Sequence, residues 1–160
     1  ETTAAQQGAV GNLRFDPMAM LPFCGYNYAD YFAHWLSMQK NTDPAQLPRI
    51  FFVNWFRRDD DGRFLWPGFG ENSRVLKWVF ERVAGTTDAV QTPIGKLPSP
   101  GSLDTEGLDI SDADLDELLA VDEEGWRAAI PQIREHYARF GDRLPASLNV
   151  AVDTLESTLS

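Results

Sequence analysis

A chain of 160 residues, 43% hydrophobic and 12% aromatic, suits one domain or a large piece of one and is too apolar for a disordered tail. Residues 1–100 carry ten Lys/Arg against ten Asp/Glu and residues 101–160 carry four against fourteen, so the whole formal charge of −10 is C-terminal. A surface of that sign argues against a nucleic-acid partner, and no apolar run approaches the ~18 residues that span a bilayer. Cys24 is single, which excludes an internal disulfide and fits a reducing cytoplasm. One cysteine and two separated histidines, His34 and His136, do not make a metal site.

Residues 1–12 are small and polar, with Gly8 and Gly11, and read by themselves as a frayed end. No basic, apolar leader pattern is visible. Asp16-Pro17 and Leu21-Pro22 make the next stretch extended or turned. Asn27 is an N-cap for a helix to about Gln39, with Tyr28, Phe32 and Trp35 expected in the core and His34 as a hydrogen-bonded structural histidine. Residues 40–48 are a loop. Ile50–Phe56 is apolar nearly throughout and predicts a central strand buried on both faces.

Asp61-Gly62 predicts a tight hairpin turn and Trp66-Pro67-Gly68-Phe69-Gly70 an irregular loop. Ser73–Ala84 is an amphipathic helix with Val75, Val79 and Val83 in one apolar row and Leu76 and Phe80 in the next; Asn72 fits its N-cap and Gly85 its stop. Residues 85–110 predict a long connection. Beyond it come a helix capped by Ser111 and a second opened by Asp122, with Trp126, Ile130, Ile133 and Tyr137 on one face and a kink or break at Pro131. The last helix carries Leu148, Val152, Leu155 and Leu159. The fold class is mixed α/β: a strand, hairpin, loop and helix core followed by a helical C-terminal third.

The stretch from Asn54 to Asn72 concentrates the chemistry. A flat heterocycle needs ring faces to stack on and backbone close to its edge. Phe56, Phe64 and Phe69 can supply faces, Gly68 and Gly70 allow close approach, and Asn72 can read a base edge. The plain alternative is that these rings are core and the chain is a non-catalytic interaction module. Asp59, Asp60 and Asp61 lack the remaining pattern of a calcium loop and read as a solvated turn. A stand-alone hydrolase is set aside, since no Ser/His/Asp or Cys/His arrangement has suitable spacing.

Several segments together resemble GTP-dependent phosphoenolpyruvate carboxykinase: Phe23-Cys24-Gly25-Tyr26-Asn27, Ala33-His34-Trp35-Leu36-Ser37-Met38, Leu47-Pro48-Arg49-Ile50-Phe51, Val53-Asn54-Trp55-Phe56-Arg57, Phe64–Asn72 and Thr92-Pro93-Ile94-Gly95. The resemblance covers residues 1–98 well and the acidic remainder loosely. It implies the C-terminal part of that family's nucleotide-binding domain: residues 1–12 a mobile lid, 13–98 the guanine-binding subregion and 99–160 an acidic helical region. It implies a GTP/GDP site on Phe56, Phe64, Gly68, Phe69, Gly70, Glu71 and Asn72, and a lid on Thr2, Thr3, Ala4, Ala5, Gly8 and Gly11. In the family, oxaloacetate and GTP become phosphoenolpyruvate, GDP and carbon dioxide, a gluconeogenic reaction that uses a divalent metal, commonly manganese. The phosphate loop, metal ligands, catalytic lysine and substrate arginines of that family match nothing in these residues. The resemblance therefore implies a partner in the remainder of the same monomeric, cytoplasmic enzyme and no catalytic residue in this chain.

Overall fold

The computed structural model describes residues 23–40 and 42–159. The lid residues Thr2, Thr3, Ala4, Ala5, Gly8 and Gly11 lie outside them. The described elements are helices α1 (Tyr28–Ser37), α2 (Asn72–Ala84), α3 (Asp112–Leu119), α4 (Glu123–Ala138) and α5 (Ala146–Thr158), with strands β1 (Ala89–Thr92) and β2 (Gly95–Pro98). Helices with one small antiparallel sheet make a mixed class, as expected. The chain divides into two compact units, Pro48–Asp122 and the residues on either side of that segment.

The flanking unit holds α1, α4 and α5. Asn27 caps α1 as its sequence position predicts, its Oδ1 accepting from Ala29 N at 2.9 Å. Helices α4 and α5 share a cluster of Ile130, Val152 and Leu159, with Ile133, Tyr137 and Leu155 packed around it. Arg134 ties the same pair of helices through Asp153 at 2.8 Å and Glu156 at 2.6 Å. Phe140 meets Phe32 edge-on at 5.3 Å and Tyr28 at 6.4 Å. Trp35, expected in the core, is exposed, as is His34. The aromatic stripe of α1 is broader than the surface it covers, so Ala29 becomes its buried residue. Pro131 does not break α4, which runs on to Ala138.

The Pro48–Asp122 unit departs further from expectation. Ile50–Phe56 is not a strand: it forms no ladder among the described residues, and Ile50 and Phe52 are 89% and 92% exposed. An apolar, β-branched run codes for an extended backbone, but a strand also needs a neighbour to accept its hydrogen bonds, and the described residues supply none. Only Phe51 and Trp55 of this run are part-buried, and Phe51 meets the buried Trp78 edge-on at 6.1 Å. Trp78 anchors α2 and donates to Ser102 Oγ at 3.1 Å, whereas Leu76, Phe80 and Val83 are exposed. Gly85 ends α2 in the left-handed region (φ 74°, ψ 22°), as expected.

The 85–110 connection contains an unexpected hairpin. β1 and β2 pair in register Ala89 with Pro98 through Thr92 with Gly95, around a Pro93-Ile94 turn. Thr92 Oγ1 donates across that turn to Gly95 O at 2.7 Å. Ser111 caps α3 by accepting from Asp114 N at 3.1 Å, as predicted.

Truncating Ile130 tests the small cluster between α4 and α5. Ile130→Ala is expected to lower unfolding stability by about 2–5 kcal/mol, measured by urea denaturation.

Candidate functional site

The predicted site begins at a turn. Gly62 N donates to Asp59 O at 3.0 Å, Asp59 N to Arg63 O at 3.0 Å, and Leu65 N to Arg57 O at 3.1 Å. This minimal hairpin contains one bridge, Arg58 with Phe64. Gly62 supplies the positive φ of 82° that its Asp-Gly position predicts. Asp59 closes the turn, accepting from Arg63 N at 2.8 Å and pairing with Arg63 Nε at 3.0 Å. Asp59 therefore shapes the turn.

Phe56 and Phe64 flank the hairpin and adjoin, ring centroids 6.3 Å apart and planes at 61°. Phe56 is 72% exposed and Phe64 46%, so neither is core. The Arg58 guanidinium lies 4.1 Å from the Phe64 centroid, a cation–π contact that occupies one face of that ring. Arg57 is committed elsewhere, donating to Leu118 O at 3.1 Å and Ala120 O at 3.0 Å at the C-terminal end of α3, where a cation complements the helix dipole.

Leu65 and Trp66 are buried and pin the second limb of the turn. The chain then reverses through Pro67. Gly68 takes φ 78°, ψ −170°, a conformation that is essentially confined to glycine. Phe69 follows with φ 48°, the single positive-φ non-glycine among the described residues, and is 96% exposed. It makes no ring contact with Phe56 or Phe64. A 3₁₀ turn, Phe69–Glu71, leads into α2, with Glu71 N donating to Gly68 O at 3.1 Å. An added Cβ at Gly68 or Gly70 meets nothing within 4 Å, so the space beside both is open.

Asn72 is not the N-cap expected of it. It is the first residue of α2, with helical φ −59° and ψ −25°, and no side chain caps that end. Its Oδ1 instead accepts from Trp66 Nε1 at 3.0 Å. Glu71 is held by Arg74 Nε at 2.6 Å, and Arg74 in turn reaches Asp104 Oδ1 at 3.2 Å, beside Lys77 Nζ at 2.9 Å from Asp104 Oδ2. The hydrogen bond from Lys77 is the main reason that the Asp104 carboxyl stays below the ordinary carboxylate range. This exposed network braces the loop from behind, a role that sequence alone did not suggest because Asp104 lies 30 residues from Arg74.

A recess of about 330 Å³ is lined by Arg63, Phe64, Leu65, Pro67, Glu71, Gly107, Leu108 and Asp109. It brings Phe64 and Glu71 together and leaves Phe56, Phe69 and Asn72 outside. Among the described residues no group of three or more His, Cys, Asp or Glu side chains is placed to hold a metal ion. No described helix is long and apolar enough to cross a membrane.

Gly68→Ala is expected to cost about 1–3 kcal/mol from backbone strain alone, since the site has room for the methyl group; urea denaturation measures it. Asp104→Asn gives a pH signature. A carboxylate with a depressed native pKa adds stability above its unfolded value and loses it as pH falls through the native one. The stability gap between wild type and Asp104→Asn should thus be present at neutral pH and close at acid pH. Because the pair is exposed, the gap should also shrink in high salt.

The family described as phosphoenolpyruvate carboxykinase C-terminal P-loop domain matches residues 1–158. The chain is 55% identical to phosphoenolpyruvate carboxykinase (GTP) of Neocallimastix frontalis, over 99% of this chain and 26% of that protein. It is 52% identical to the protein of that name from Arthrobacter sp. (strain FB24), over 100% of this chain and 26% of that protein. For Treponema pallidum (strain Nichols) the identity is 51%, over 99% and 26% respectively. The chain thus spans about a quarter of the length of these relatives, and it belongs to the family of the phosphoenolpyruvate carboxykinase C-terminal P-loop domain.

Proposed function

We propose that this chain supplies the guanine-binding part of an enzyme that converts oxaloacetate and GTP to phosphoenolpyruvate, GDP and carbon dioxide. The family membership supports the reaction. One structural observation supports the site: Phe56 and Phe64 at the hairpin and Phe69 on the glycine-permitted loop are presented to solvent instead of being packed into a core. In this reading a purine lies on a phenyl face near the hairpin, and the loop from Gly68 to Asn72 meets its edge, with Gly70 and Glu71 between. Stacking accepts any base; hydrogen bonds at the edge select guanine.

By the resemblance, the divalent ion, commonly manganese, and the groups that move the phosphoryl belong to the remainder of a monomeric, cytoplasmic enzyme. That ion would neutralise charge on the phosphates during transfer. This chain's own residues bind and orient the base, fixing where the phosphates reach. By the same resemblance residues 1–12 act as a lid that excludes water from the bound substrates.

In the full-length enzyme, Phe64→Ala and Phe56→Ala are each expected to weaken GDP binding by roughly 1–3 kcal/mol, about 5- to 150-fold in Kd. Calorimetry of GDP binding measures this, and unchanged affinity in both variants would remove the base from this site. GDP should also perturb tryptophan emission saturably where ADP does not, since Trp55 and Trp66 flank the phenylalanines.

A further inference from the structure

The hydrogen bond between Trp66 and Asn72 carries a consequence for which base is accepted. An indole N–H can only donate, so the atom it meets at 3.0 Å must be the amide oxygen of Asn72. The orientation of that amide is therefore set by chemistry. Trp66 is 6% exposed, so its ring is locked by packing. The Asn72 backbone is equally fixed, its N–H donating to Gly70 O and Phe69 O at the entry to α2. The indole takes one lone pair of that oxygen and fixes the rotation of the amide, so the part of the amide turned away from Trp66 is its NH₂, which donates and cannot accept.

We infer that Trp66 is a positioning residue for base specificity: it orients Asn72 as a donor toward a purine with an oxygen at C6. The inference rests on the guanine-site reading above. A 6-oxo purine presents an acceptor to that NH₂; a 6-amino purine presents a donor, leaving two donors facing each other. Without Trp66 the amide is free to rotate by half a turn and meet a 6-amino group with its oxygen. A buried aromatic that touches no ligand would thus tune the choice between guanine and adenine nucleotides.

The test uses the full-length enzyme and binding of GDP, IDP and ADP. IDP carries the 6-oxo group without the 2-amino group and so isolates the contact at C6. Trp66→Phe keeps most of the ring volume and removes the N–H. It should narrow both the GDP:ADP and IDP:ADP affinity ratios by about tenfold, the worth of one edge hydrogen bond. A role limited to packing would lower the unfolding temperature and leave both ratios alone, and that outcome overturns the inference. Asn72→Asp is the second arm, needed if Trp66→Phe does not fold: a carboxylate still accepts from Trp66 but has no NH₂, so both ratios should fall, and unchanged ratios again overturn it. If wild type itself fails to prefer GDP over ADP, the guanine-site reading falls, which separates that failure from the failure of Trp66 alone.

Discussion

The bond from the buried indole of Trp66 to Asn72 closes a seven-residue reversal, and the candidate site is arranged around that closure. On one side the chain is held by Leu65 and Trp66, both buried. On the other it is held by the first turn of α2, itself anchored through Trp78. Between these fixed ends the backbone must turn sharply, which only Gly68 does without strain. Phe69 is carried outward as a result. The salt-bridged set of Glu71, Arg74, Asp104 and Lys77 adds support at the surface, where each pair contributes little by itself and the network orients more than it stabilises.

What could be read from the sequence was local. Asn27, Ser111, Gly62 and Gly85 each announce a cap or a turn through the chemistry of one side chain and its immediate neighbours, and each acts so in the structure. The five helices are legible because apolar spacing repeats over several turns. Long-range pairing was not legible. Ile50–Phe56 has the composition of a strand, yet composition says nothing about whether an edge lies alongside. The hairpin of β1 and β2 is hidden for the opposite reason: its strands are short and carry few large apolar residues, and its proline and glycine lie in the turn and at the strand ends.

Site residues divide along the same line. The phenylalanines and glycines between Phe56 and Asn72 stand out as a cluster, and the structure gathers Phe56 with Phe64 while leaving Phe69 apart. Asn72 was legible as a polar residue at a helix start but not in its actual partnership. Two roles competed for one amide oxygen; the buried indole, which has no other means of satisfying its N–H, wins over a helix end that water can serve. Asp104 was invisible because its part depends on a fold that brings distant residues together.

The positive φ of Phe69 has an evolutionary consequence. A bulky side chain in the left-handed region is disfavoured, and glycine or asparagine would relax the backbone there. A library selected only for heat resistance should drift toward those two residues at this position. One selected for turnover on limiting nucleotide should retain an aromatic, because the ring would already stand clear of the surface before any ligand arrives.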